Sequence, residues 1–134
     1  MDPVSIAGLA LTCFTIVQWL ASLAARGANA YDDYKRVPGR VQRLLRYCDS
    51  WGNLIGEIHK LLLQGMAGKL FDKAVRAQLE IYLDDTKNLL TEADGLITDY
   101  EDGKLQKVVN FINLEQKFEM ERGRLHIWIE VAHL

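Results

Sequence analysis

Apolar residues dominate the start of the chain. From Pro3 to Ala25 no side chain is charged, and Val4, Ile6, Leu9, Leu11, Phe14, Ile16, Val17, Trp19, Leu20 and Leu23 occupy more than one face of a helix. An amphipathic surface helix keeps a polar face, so the pattern predicts either a central helix covered by its neighbours or a helix that enters a membrane. At 1.5 Å per residue the run spans about 34 Å, enough for a hydrocarbon core of about 30 Å. Asp2 and Pro3 read as a helix start, a carboxylate cap followed by a proline that needs no N–H partner. Arg26 and Gly27 read as a stop or kink, with the polar stretch Ala28 to Val37 continuing the helix beyond the bend.

Three more segments carry helical periodicity. After the Pro38-Gly39 break, Val41, Leu44, Leu45, Cys48, Trp51, Ile55, Ile58 and Leu62 follow three-and-four spacing and predict one buried stripe. Gln64 to Gly68 reads as a turn between antiparallel helices. From about Phe71 to Tyr100, Val75, Leu79, Tyr82, Leu83, Thr86, Leu89, Leu90, Ala93, Leu96, Ile97 and Tyr100 form the most regular seam of the chain. Glu101-Asp102-Gly103 closes that helix, and Leu105, Val108, Val109 and Ile112 begin another. Asn113 followed three residues later by Gln116 fits a capping box, which predicts a break or bend near Asn113. The last piece then runs from about Leu114 and ends in dense apolar residues, so the natural protein is expected to continue beyond Leu134. The expected fold is all-α, a four-helix-type bundle forming one domain over residues 1–134, with a long hydrophobic first helix.

Composition narrows the function. Apolar residues make up 49% and charged residues 25% of the 134, which is ordinary for a folded domain and too apolar for general disorder. A formal net charge of −2 gives no global reason to expect a nucleic-acid partner. The charge is nevertheless segregated. Lys35, Arg36, Arg40, Arg43 and Arg46 cluster between the first two helices, whereas Glu80, Asp84, Asp85, Glu92, Asp94, Asp99, Glu101 and Asp102 make the third helix acidic. The basic group is a candidate contact for anionic lipid, at about 1 kcal/mol per basic residue near a membrane surface; complementary packing or plain solvation explains it equally well. Cys13 and Cys48 are the only cysteines and both sit within apolar patterns, as reduced thiols do, which points to a reducing, cytoplasmic setting. No basic segment precedes the apolar run, so a secretory signal is rejected.

Nothing in the sequence points to catalysis. It holds no phosphate-binding glycine loop, no nucleophile elbow and no zinc spacing. Glu130-x-x-His133, with His126 on the same face, resembles half of a metal-binding helix pair, but a di-iron bundle needs two such motifs and further glutamates. No enzyme activity, cofactor, metal or small-molecule substrate is expected.

The opening Met1-Asp2-Pro3-Val4-Ser5-Ile6-Ala7-Gly8-Leu9-Ala10 resembles the start of many fungal HeLo and HeLo-like domains. A second segment, Phe111-Ile112-Asn113-Leu114-Glu115-Gln116-Lys117-Phe118-Glu119, resembles that family's run of an aromatic, two apolar residues, an acid-lysine stretch and phenylalanine; Asn113 and Gln116 depart from its commoner choices. Separated by two long amphipathic helices, the two segments extend the resemblance over essentially the whole chain. It implies a helical bundle related to that of the mixed-lineage kinase-like pseudokinase, placed at the N-terminus of a larger protein. It also implies a role in programmed cell death, fungal incompatibility and innate-immunity signalling.

The function so implied is a membrane-targeting effector domain, cytoplasmic at rest, which associates with anionic membranes through its first helix after oligomerisation. The residues expected to carry it are Val4, Ile6, Leu9, Leu11, Phe14, Ile16, Val17, Trp19, Leu20 and Leu23. Gly8 with Ala7, Ala10, Ala21, Ala24 and Ala25 offers small surfaces for self-association. The alternative is a non-lytic helical adaptor or oligomerisation module, with Trp19, Trp51 and Trp128 as interface anchors or core.

Overall fold

The computed structural model describes residues 5–34, 39–64, 72–101 and 108–133. Four helices account for nearly all of them: α1 (Ile6–Tyr34), α2 (Gly39–Gln64), α3 (Lys73–Glu101) and α4 (Val108–Ala132). The chain is an all-α four-helix bundle with a long apolar N-terminal helix.

Local chemistry sets the helix starts. Asp2 and Pro3 lie outside the described residues, and α1 is capped by Ser5, whose Oγ accepts the Gly8 N–H at 3.1 Å while its carbonyl accepts that of Leu9. Asp72 caps α3 in the same way, its carboxylate accepting the Ala74 N–H at 2.9 Å.

Neither sequence signal ends a helix. Arg26-Gly27 does not stop α1, which runs on to Tyr34; helix propensity at one glycine is a weak force beside the packing of a long seam. Gly27 serves a close approach instead. A Cβ there would collide with the δ carbons of Leu45 on α2. Nor does α4 break at Asn113. It is continuous from Val108 to Ala132, because Leu114 and Phe118 are buried and carry the seam across the capping-box sequence while Asn113 and Gln116 face solvent.

The helices pack around a square in the order α1, α2, α4, α3, with α1 touching α2 and α3, and α4 touching the same two. Gly27 meets Leu45 while Phe14 meets His59, so α1 and α2 are antiparallel. Lys117 meets Glu92 while Arg124 meets Asp85, so α3 and α4 are antiparallel as well. The sequential helices α2 and α3 therefore occupy a diagonal rather than forming a packed hairpin. The core contains Leu9, Ile16 and Leu20 of α1, Ile55 and Ile58 of α2, Leu83 and Leu90 of α3, and Phe118 and Leu125 of α4. Trp51 stands edge-on to Phe118 with centroids 4.3 Å apart, and the buried Trp128 indole donates to the Val75 carbonyl at 2.9 Å. Two of the three tryptophans are thus core.

Candidate functional site: the first helix and its polar anchors

The ten residues singled out for membrane contact divide between two faces. Leu9, Ile16, Leu20 and Leu23 are buried in the bundle, and Ile6, Val17 and Trp19 pack partly against it. Leu11 and Phe14 are 65% and 47% exposed. Val4 lies outside the described residues. The division follows from burial around one side only: α2 and α3 cover α1, α4 sits across the diagonal, and the remaining side of α1 faces outward.

That outward side carries no charge. Its exposed positions between Ile6 and Gly27 are Ala7, Leu11, Phe14, Thr15, Gln18, Ala21, Ser22 and Ala25. The corresponding exposed positions on α2 include Arg43, Arg46, Asp49, Glu57 and Lys60, as expected for a solvated helix. The Thr15 hydroxyl donates to the Leu11 carbonyl at 3.0 Å and that of Thr12 to the Gly8 carbonyl at 3.1 Å. These back-bonds satisfy hydroxyl polarity within the helix. The segment Ile6–Gly27 is long and apolar enough to cross a membrane, and only 33% of its most apolar window is buried in the bundle.

Arg26 is the single charge of this segment. It reaches Asp94 of α3 at 2.5 Å and the Thr98 hydroxyl at 2.8 Å, and the Trp19 indole N–H donates to the other oxygen of Asp94 at 3.2 Å. One carboxylate thus gathers two residues of α1 that lie two turns apart. The Arg26 hydrogen bond holds the Asp94 carboxyl below its usual range against the opposing effect of partial burial, with Trp19 and Thr98 adding to the lowering. Sequence reading placed Asp94 only in an acidic helix. Its signal was the lone cation of an otherwise uncharged segment, which needs a partner.

Of the five basic residues, Lys35 and Arg36 lie outside the described residues, as does the side chain of Arg40. Arg43 and Arg46 are exposed on α2, one turn apart. With Tyr47 and Ser50 of α2 and Arg122 of α4 they line a groove of about 250 Å³. Arg122 is 76 positions beyond Arg46 in the sequence, and nothing in the spacing linked the two.

Cys13 and Cys48 are both buried and unpaired, and burial pushes the Cys48 thiol up to about 12. Glu130 and His126 are exposed on α4 and His133 just after its end, and no cluster of metal-ligating side chains occurs among the described residues. Compared with known protein families, with curated proteins and with solved structures, the chain matches none.

Proposed function

We propose that this chain is a membrane-targeting, cell-death-inducing effector domain of the HeLo-like type, cytoplasmic at rest and acting on anionic membranes through α1 once clustering releases that helix. The observation that carries the reading is the uncharged outward stripe of α1, opposite a face that is already apolar. A helix designed only for a soluble bundle gains solubility from charge on its outward side. Here neither face carries a charge before Arg26. In the bundle Leu9, Ile16, Leu20 and Leu23 are covered; in a bilayer they exchange bundle contacts for acyl chains, and Leu11 and Phe14 leave water altogether. Arg26 lies at the end of the apolar segment, where a long side chain reaches the interface instead of the bilayer centre. The back-bonded threonines add little desolvation cost.

The test is dye release from vesicles containing anionic lipid, using the domain alone and fused to an oligomerising partner. Leu11→Glu and Phe14→Glu are the informative variants because both side chains are exposed, so the bundle survives them. Leu9→Glu or Leu20→Glu would bury a charge in the core and unfold it. Clustered wild type should release dye and the two exposed-site variants should not. Intact vesicles with clustered wild type would refute the reading. A stable dimer that buries Leu11 and Phe14 without binding vesicles would favour the adaptor function instead.

A further inference from the structure

One spacing recurs on α3 and α4. Asp85, Leu89 and Glu92 stand at i, i+4 and i+7 on α3, and Lys117, Glu121 and Arg124 do so on α4, so each set shares one face of its helix. Because the two helices are antiparallel, Arg124 meets Asp85 at 3.8 Å and Lys117 meets Glu92 at 3.1 Å. Glu121 and Leu89 fall between the two pairs. With Met120 these side chains line a groove of about 300 Å³, at the lower end of the range for small-molecule sites.

One group in the groove lacks a donor. The Glu121 side chain is only 8% exposed. Its Oε1 accepts from Arg124 at 2.6 Å, whereas its Oε2 is buried with no hydrogen-bond partner among the described residues. A carboxylate oxygen buried without a donor is costly. Burial accordingly raises the pKa of the Glu121 carboxyl against the opposing charge of Arg124, with Asp85 adding to the rise. The lining holds three carboxylates and two cations, so its unmatched charge is negative. The pairs of Arg124 with Asp85 and of Lys117 with Glu92 are about half exposed; such pairs contribute little and yield to a competing cation. No group of ligating side chains among the described residues could hold a metal ion, and the cation that fits is organic.

We infer that the groove between α3 and α4 binds a short aliphatic diamine, with one ammonium at Glu121 and Asp85 and the other at Glu92. An ammonium offers three N–H donors, enough for the unpartnered Glu121 oxygen and for Asp85. Asp85 and Glu92 are seven positions apart, about 10.5 Å along α3. An extended four-carbon diamine carries its nitrogens about 6 Å apart, and a charge-assisted bond of about 2.8 Å at each end brings both carboxylates within reach. Between them Leu89 and the exposed Met120 offer apolar surface to the methylenes. The site is made by α3 and α4 alone and requires neither exposure nor insertion of α1.

The test is calorimetric titration of the whole chain at pH 7 and fixed ionic strength with 1,4-diaminobutane and, separately, n-butylamine. The diamine should bind saturably and at least severalfold more tightly than the monoamine, and should raise the melting temperature. Glu121→Gln keeps the side-chain volume and removes the buried charge; binding should fall about tenfold or more and the thermal shift should vanish. Glu92→Gln should weaken the diamine severalfold and leave n-butylamine within twofold, because only the second ammonium loses its partner. Lys117→Gln, which removes the internal competitor for Glu92, should strengthen diamine binding severalfold. Glu57→Gln removes the same charge from an exposed position on α2, across the bundle from α3, and should leave binding within twofold. Circular dichroism confirms that the variants fold. Absence of saturable binding, binding unchanged in Glu121→Gln, or an equal loss in Glu57→Gln overturns the site. Butylamine binding as tightly as the diamine also overturns it, and assigns the groove to a single ammonium such as the lysine side chain of a protein partner.

Discussion

Replacing Asp94 by alanine removes the acceptor shared by Arg26 and Trp19, and its effect can be estimated from the geometry. The Arg26–Asp94 pair is about one-third exposed on each side, so the interaction must be discounted toward the exposed-pair range of about 0.2–1 kcal/mol. Loss of the Trp19 bond adds a comparable amount. The total is about 1–2 kcal/mol, a factor of roughly 5–30 in an opening equilibrium. Cys13 provides the readout, because it lies on the buried face of α1 and is fully covered in the bundle. With Cys48 replaced by alanine, the labelling rate of Cys13 by a soluble disulfide reagent follows the fraction of time α1 is undocked. Asp94→Ala should accelerate labelling about 5–30-fold, and a cycle with Arg26→Gln should show a coupling of about 0.5–1 kcal/mol. A Cys13 rate unchanged within twofold, or strictly additive substitutions, would refute the idea that Asp94 anchors α1.

The pH dependence of that anchor has a definite sign. Because the folded pKa of Asp94 is depressed, its stabilisation is fully present above the unfolded value of about 3.9 and is lost as pH falls below it through the folded pKa; Asp94→Asn should flatten this part of the wild-type acid-denaturation curve. Burial raises the pKa of Glu121 against the opposing effect of Arg124, so its contribution is most favourable below the unfolded value of about 4.3 and is lost as pH rises through the folded pKa. Glu121→Gln should accordingly raise the urea midpoint at pH 7 and reduce its recovery on mild acidification. Gly27→Ala should destabilise by about 1 kcal/mol where Leu45 must give way, and be neutral or stabilising in a Leu45→Ala background, where the gain in helix propensity remains. Gly95→Ala, with open space around the added methyl, should stabilise by about 0.5–1 kcal/mol in thermal melts. Leu20→Ala, buried in the core, should cost about 2–5 kcal/mol by denaturant titration.

The sequence by itself determined the helices, because burial on one side writes a three-and-four period into each segment. The seams of α2 and α3 were legible almost residue by residue: Leu44, Cys48, Trp51, Ile55, Ile58 and Leu62 are buried on one, and Leu79, Leu83, Leu90, Ala93 and Ile97 on the other. Local signals were less dependable. Gly27 and the Asn113–Gln116 pair carry the chemistry of helix ends, yet both sit inside continuous helices, since propensity at single positions is outweighed by packing along a seam.

Only the tertiary structure decided which apolar residues of α1 face the core. Periodicity identifies faces when charged residues mark the opposite side, and in α1 that side carries only the neutral Thr15, Gln18 and Ser22 among apolar residues. Leu11 and Leu9 are alike in sequence and differ in exposure because α2 and α3 cover one side of the helix and leave the other open. The Asp94 anchor and the three-arginine groove belong to the same category. Their members lie 68 and 76 positions apart, Arg26 to Asp94 and Arg46 to Arg122, and only the order of helices around the square brings them together.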